Sequence, residues 1–299
     1  MRSRTALLAV VAASACLLTA CGTGAGADTG DRMRVVAAFY PLQYVTEQVG
    51  GDRVAVTNLV KPGAEPHDLE LQPSQMARLA TADLVVYLRG FQPSVDSAVD
   101  QEARGKAIDT STVQPLQQAA PGVEDSGGKD PHIWLDPTRL AAVADAVADR
   151  LAARDSGHAA DIRARAAKLR GELEALDKEY AAGLANCQRH EIVTSHAAFG
   201  YLAARYRLTQ IPITGLNPEE EPTPQHLADV AAQARKYKAT TIFFESLVSP
   251  KIAETLAKEV GAKAEVLDPI EGIEPGSSDT YLSVMRANLA TLRTALGCS

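Results

Sequence analysis

Hydrophobic positions divide the chain into a short apolar leader, an unpatterned stretch and a long region of alternating periods. Residues 6–18 are almost wholly apolar behind Arg2 and Arg4. That run is too short to cross a bilayer comfortably, so residues 1–20 read as a signal peptide. Residues 21–33 show no hydrophobic period and read as a flexible tether. From Arg34 onward, short β-rich runs alternate with helical periods. Strands are predicted at 35–39, 54–60, 84–88 and 106–108, with helices over 41–49 and from Pro73-Ser74. A polar loop follows, over about 110–130. The second half repeats the scheme, with strands at 191–194, 209–214, 240–244 and 264–267. Its helices are predicted over 197–206 and 225–237 and after Ser249-Pro250, where a cap precedes a first-turn proline.

Between the halves the pattern is helical throughout. Asp136-Pro137 starts one helix with Leu140, Val143, Val147 and Leu151 on one face. A second, over 158–186, carries Ile162, Leu169, Leu173, Leu176, Tyr180 and Leu184 on one stripe. At 1.5 Å per residue it is about 40 Å long and can brace two lobes. The expected fold is therefore α/β: two lobes, each a four-stranded, mostly parallel sheet with flanking helices, joined by one long helix. The boundaries are 34–157 for the first lobe, 158–186 for the linking helix and 187–299 for the second lobe.

Composition narrows the function. The 299 residues suffice for two ordinary domains. A formal charge of −7 lacks the basic footprint of nucleic-acid binding. Leu18-Thr19-Ala20-Cys21-Gly22 matches a bacterial lipobox, which makes Cys21 the lipidated residue and places the folded part outside the cytoplasm, anchored to the membrane. The alternative is an ordinary signal peptide with an incidental cysteine. Cys16 leaves with the leader, so Cys187 and Cys298 remain as an even pair in an oxidising compartment and are expected to form a disulfide. Two free buried thiols are the alternative.

Three of the six histidines share one local context, strand, then His, then helix start: His67, His132 and His196. Asp268 stands at the end of a strand before Pro269. Ligands of open parallel sheets bind outside the carboxyl ends of the strands, so two facing lobes would bring these four residues into the cleft between them. Three imidazoles and a carboxylate suit Zn²⁺ well and Mn²⁺ less well. Each residue also has a plainer reading, as a hydrogen-bonded surface histidine or as a turn-capping aspartate. Glu245 ends its own strand on the same edge. It is read as an acceptor that fixes the tautomer of an imidazole, and it is the rival of Asp268 for the fourth ligand. His158, His190 and His226 read as solvated, as does the acidic run Glu219–Glu221. Trp134 reads as packing beside the site.

The lipobox, Ala38-Phe39-Tyr40-Pro41, Pro66-His67-Asp68, Asp130-Pro131-His132-Ile133-Trp134-Leu135-Asp136-Pro137, Thr194-Ser195-His196 and Phe243-Phe244-Glu245 together resemble the zinc/manganese solute-binding proteins of ABC importers, the ZnuA/TroA-like cluster A-I (cluster 9) group. The resemblance covers nearly all of the mature chain. It implies two lobes joined by a long helix with metal at their interface, and it carries the ligand role onto His67, His132, His196 and Asp268. Manganese-selective relatives tend to have a carboxylate at the third position, so His196 groups this chain with the zinc binders. The loop before the second ligand, often rich in His and acid in such proteins, has Glu124 and Asp125 here but no His.

The function expected from this reading is extracytoplasmic capture of Zn²⁺ by a monomer, with delivery to the transmembrane subunit of an ABC permease and its cytoplasmic ATPase. A manganese-selective member of the same group is one alternative. A zinc hydrolase is another, since three His with an open position make a catalytic shell. Asp268 would close that shell, however, and no His-Glu-x-x-His or Gly-x-Ser-x-Gly segment is present. The chain is therefore not expected to be an enzyme. A metal-sensing surface protein or adhesin, for which the resemblance supplies a cell-adhesion label, finds no supporting repeats.

Overall fold

The computed structural model describes residues 32–119 and 128–299. The signal peptide, Cys21, nearly all of the tether, and Glu124 and Asp125 lie outside the described residues. The described chain carries two four-stranded sheets. Strands β1 (Met33–Ala37), β2 (Val54–Asn58), β3 (Leu84–Tyr87) and β4 (Ala107–Asp109) form the first, in the order β2-β1-β3-β4. Strands β5 (Glu191–Thr194), β6 (Thr209–Pro212), β7 (Thr241–Phe244) and β8 (Lys263–Val266) form the second, in the order β6-β5-β7-β8. Every pairing is parallel. The two sheets are thus the same unit built twice, and their central strands are short apolar runs because helices cover both faces.

Helices α1 (Tyr40–Gly50), α2 (Pro73–Thr81), α3 (Pro93–Glu102), the single turn α4 (Thr110–Val113) and α5 (Pro137–Arg154) belong to the first half. The long α6 (Ala159–Gly183) follows. Helices α7 (Gly200–Tyr206), α8 (Pro224–Lys236), α9 (Lys251–Val260) and α10 (Tyr281–Leu296) complete the chain. Helix α3 has no counterpart among the helices named from the sequence. Its core contact rests on Val95, Ala98 and Val99 alone, a weak stripe for ten residues.

Helix α6 buries Ile162, Leu169, Leu173, Leu176 and Tyr180, the stripe read from the sequence. It packs against α1 and α5 on one side and α10 on the other. The Tyr180 hydroxyl donates to the Met285 carbonyl at 2.6 Å, which ties the far end of the brace to α10. Where α6 ends, Cys187 and Cys298 sit with their Sγ atoms 1.97 Å apart, pairing the start of the second half with the last turn of the chain. No helix among the described residues is long and apolar enough to cross a membrane.

Candidate metal centre

The three histidines arrive from three different loops. His67 lies in the segment between β2 and α2, held by the Gln92 side chain, which donates to the Pro66 carbonyl at 3.1 Å. His132 precedes a buried turn, Ile133–Leu135, that leads into α5, whose first turn is capped by the Asp136 carboxylate accepting from the Thr138 N–H. His196 follows β5 and leads directly into α7. All three rings are packed: His67 is 8% exposed, His132 0% and His196 1%. Phe91 stands edge-on to His67 with ring centroids 4.7 Å apart, and Trp134 lies 5.2 Å from His132.

The fourth member of the cluster is Glu271. Its Oε1 lies 3.3 Å from Nε2 of His67, 3.2 Å from Nε2 of His132 and 3.3 Å from Nε2 of His196. The Nε2 atoms of His132 and His196 are themselves 3.3 Å apart. These four ligand atoms all lie within 4.8 Å of one another. Zinc–ligand bonds of about 2.0–2.1 Å set at tetrahedral angles place ligand atoms about 3.3–3.4 Å apart. Four edges of the cluster therefore have the length that one tetrahedral Zn²⁺ requires.

Asp268, expected in that fourth position, is turned elsewhere. Its Oδ2 accepts from the Ser246 hydroxyl at 2.6 Å and its Oδ1 from the Ile270 N–H at 2.6 Å. Burial pushes its carboxyl above the ordinary range, despite those two bonds. Asn288 clasps its backbone from both sides, its Oδ1 accepting from the Asp268 N–H and its Nδ2 donating to the Asp268 carbonyl. The chain then turns at Pro269 and passes through Ile270, whose φ of 59° is unusual for a β-branched residue. Only beyond this bend does a carboxylate face the histidines. Asp268 shapes the turn, and Glu271 points into the site.

Each of two imidazoles is backed by a carboxylate. Nδ1 of His132 lies 2.8 Å from Oδ1 of Asp130, and Nδ1 of His196 lies 2.8 Å from Oε1 of Glu245. With Nδ1–H donated to the carboxylate, Nε2 carries the lone pair that faces the cluster. Glu245, read from the sequence as an acceptor for an imidazole, faces Nδ1 of His196. Asp130 was missed, although it begins the Asp-Pro-His segment; its signal was the Asx-type spacing that lets Oδ1 also accept the His132 N–H at 2.9 Å. A Cβ at Gly200 would run into Asp130 Oδ2, and the Tyr201 hydroxyl donates to the Asp130 carbonyl at 2.9 Å. Helix α7 is therefore locked against the loop that carries His132.

The electrostatics follow from this packing. Burial opposes charge on His196, but Glu245 and Glu271 outweigh it and hold the imidazole well above its ordinary value. Burial likewise opposes charge on His132, where Asp130 and Glu271 leave a net upward shift. For His67 burial wins, and its titration is lowered. Glu271 is disfavoured as an anion by burial, yet the surrounding imidazoles hold it well below the ordinary carboxylate range. Burial and the neighbouring Glu271 push Glu65 up to about 8. The cluster is a buried anion ringed by nitrogen lone pairs and imidazolium protons, an arrangement that a divalent cation can replace proton for charge.

The remaining histidines stand apart from the cluster. His158 pairs with Asp155 at 2.8 Å, His226 faces the Pro212 carbonyl at 3.1 Å, and His190 is exposed. Trp134 does more than pack, since its Nε1 donates to the Pro269 carbonyl at 2.7 Å.

Comparison with known proteins agrees with this chemistry. The sequence model of the family described as "Zinc-uptake complex component A periplasmic", ZnuA, matches residues 35–295. The chain is 32% identical over 308 aligned positions to the high-affinity zinc uptake system protein ZnuA of Bacillus subtilis, covering 97% of each. It is 34% identical to the zinc-binding lipoprotein AdcA of Streptococcus pneumoniae, covering 96% of this chain but only 60% of that longer protein. Among solved structures, a Zn(II)-bound variant of S. pneumoniae AdcAII superposes with a TM-score of 0.80 at 31% identity, over 89% of this chain and 99% of the other. The laminin-binding protein Lmb of Streptococcus agalactiae, described as having adhesin and metal-transporting activity, gives a TM-score of 0.81 at 33% identity, over 89% and 99%. Two matching parallel sheets, a three-histidine, one-glutamate cluster between them and a family match spanning 35–295 lead to one conclusion: the chain belongs to the ZnuA family of zinc-uptake binding components.

Proposed function

We propose that this protein captures a single Zn²⁺ ion outside the cytoplasm and delivers it to the permease of an ABC importer. The observation that carries the reading is the set of 3.2–3.3 Å separations among His132 Nε2, His196 Nε2, His67 Nε2 and Glu271 Oε1. Those lengths match a tetrahedral zinc shell and are short for a Ca²⁺ site, which takes six to eight oxygens at longer bonds. His67, His132, His196 and Glu271 are the proposed ligands, with Asp130 and Glu245 holding two of the imidazoles from behind. The His₃Glu set favours Zn²⁺ over Mn²⁺ because three imidazoles outnumber the single oxygen.

Four protein donors fill a tetrahedral shell, which supports binding and transfer rather than hydrolysis. The lipobox supports a lipid anchor at Cys21 after removal of residues 1–20, with the folded part working as a monomer at the outer face of the membrane. The Cys187–Cys298 pairing fits an oxidising compartment. The lobes are assigned as 34–157 and 187–299, braced by a linking helix over 158–186.

Metal analysis of purified protein, together with chelator competition, tests the function. One Zn²⁺ per chain, bound tightly enough to compete with a strong chelator and not displaced by equimolar Mn²⁺, is the expected result. Protein with no stoichiometric zinc, or with Mn²⁺ preferred, overturns it.

A further inference from the structure

One exposed side-chain bond joins the segment that carries His67 to the segment that packs against His196. Asn217 Nδ2 donates to the carboxylate of Asp68, 3.3 Å from each oxygen. Asp68 is the immediate neighbour of His67. Asn217 belongs to the stretch between β6 and α8, which is bonded to both flanks of His196. The Thr214 N–H donates to the Ser195 carbonyl at 2.9 Å, and the Ala197 N–H donates to the Gly215 carbonyl at 2.8 Å. The Asn217 amide is oriented by its own turn, since Oδ1 accepts the Glu219 N–H at 2.9 Å. That leaves the Nδ2 hydrogens facing Asp68.

This bond differs from the ties between the other two ligand loops. The Trp134–Pro269 bond, which joins the loops of His132 and Glu271, is buried, and so is the bond from the Tyr281 hydroxyl to the Trp134 carbonyl. The Asn217–Asp68 bond is exposed, and water competes for both partners. Of these three ties it therefore opens most readily. It also stands beside the way in. His67 is the most exposed of the four ligands, at 8%, and it lines a cavity of about 170 Å³ whose wall includes both Asp68 and Asn217.

We propose that Asn217 is a positioning residue that sets the rate at which metal enters and leaves the cage. Its bond to Asp68 holds the stretch beside His196 against the segment of His67, and breaking that one bond opens the cage along the cavity wall while the buried ties to His132 and Glu271 stay made. The inference rests on the zinc-binding reading above and adds to it which seam of the cage opens.

The test exchanges the two partners. Asn217→Asp keeps the oxygen that accepts the Glu219 N–H, so the turn is retained, but it sets a carboxylate against Asp68 and removes the donor. Adding Asp68→Asn restores a donor–acceptor pair in the reverse sense, with the charge of the wild type. Zinc loss is followed by stopped-flow transfer to an excess of chromophoric chelator, in the range where the rate no longer depends on chelator concentration. Asn217→Asp is expected to lose zinc at least about fivefold faster, the factor equivalent to about 1 kcal/mol and the scale of one hydrogen bond. The double variant is expected to return to within about twofold of wild type, a rescue that mere disturbance of the loop would not show. A smaller acceleration in the single variant, or a double variant outside that twofold range, overturns the proposal. Wild type without stoichiometric zinc overturns the functional reading itself, whereas zinc-loaded wild type with unaltered rates in Asn217→Asp overturns only the role of Asn217.

Discussion

Trp134 Nε1 donates to the Pro269 carbonyl at 2.7 Å, joining the loop that carries His132 to the loop that carries Glu271 across 135 residues of sequence. The Tyr281 hydroxyl donates in turn to the Trp134 carbonyl at 2.5 Å, and Gly63 N–H donates to the Ile273 carbonyl at 2.8 Å. Two ligands from opposite ends of the chain are thus held in one rigid frame before any ion arrives. Such preorganisation spares metal binding the cost of ordering its ligands.

Trp134→Phe removes the donor and leaves the Pro269 carbonyl unpaired in a buried setting. A loss of about 1–3 kcal/mol in unfolding free energy is expected, measured by urea titration with and without zinc. Zinc affinity falls as well, because Glu271 loses its tether to His132. Unchanged affinity would show that the tie does not position the ligand.

Glu271, Glu245 and Asp268 separate cleanly by substitution. Glu271→Gln deletes the charged ligand and is expected to lower Zn²⁺ affinity by more than the roughly 10–100-fold typical of residues that only orient a ligand. Glu245→Gln falls within that range. Asp268→Asn leaves a side chain of the same shape and costs mainly stability, through the bonds from Ser246 and Ile270. Chelator competition on the three variants checks the order, and a larger affinity loss for Asp268→Asn than for Glu271→Gln would reverse the assignment.

Metal binding competes with protons at His132 and His196. Both imidazoles are held above the ordinary value of about 6.5 in the metal-free protein, so each must lose its proton to admit zinc. Affinity is therefore expected to fall as pH drops, beginning above the ordinary imidazole value of about 6.5, by up to about two decades per pH unit. The same raised values stabilise the metal-free fold fully below about 6.5, and that contribution is lost as pH rises through the folded values. The increase in Tm on adding zinc consequently grows with pH. Thermal unfolding with zinc and with chelator, from about pH 6 to 8.5, measures both limbs. A zinc-induced shift that does not change across this range would contradict the charge state assigned to the site.

The proposed Cys187–Cys298 bridge would close a loop across a sequence separation of 111. Replacing both by Ser is expected to lower stability by about 2–5 kcal/mol on loop-closure grounds, while zinc stoichiometry stays at one, since neither cysteine touches the site. Two reactive thiols in denatured, unreduced protein would show that the bridge does not form.

Most of this architecture was legible because it is periodic. The stripe Ile162–Leu169–Leu173–Leu176–Tyr180 specifies the long helix, and the alternation of short apolar runs with helical periods specifies two parallel sheets. The three histidines were legible because each follows the same local grammar at a loop's exit into a helix. Glu271 was not, because proximity to a strand end favoured Asp268. What decides between them is a bend at Pro269 and a left-handed Ile270 held by long-range bonds from Asn288, Trp134 and Ser246. Such bends are tertiary facts that no local period announces. At Gly272 a Cβ would press on Leu247 Cδ1 at 3.0 Å, so the chain passes close to a neighbour just beyond Glu271. Asp130 was hidden for a related reason, since its role depends on which oxygen faces which imidazole.

A crystal structure of the zinc-loaded protein, with anomalous scattering collected at the zinc edge, tests the central claim most directly. The account predicts a single anomalous peak between the two sheets, about 2.0–2.2 Å from Nε2 of His67, His132 and His196 and from a carboxylate oxygen of Glu271. A peak bound by Asp268 in place of Glu271, or one lying away from the three imidazoles, would contradict it.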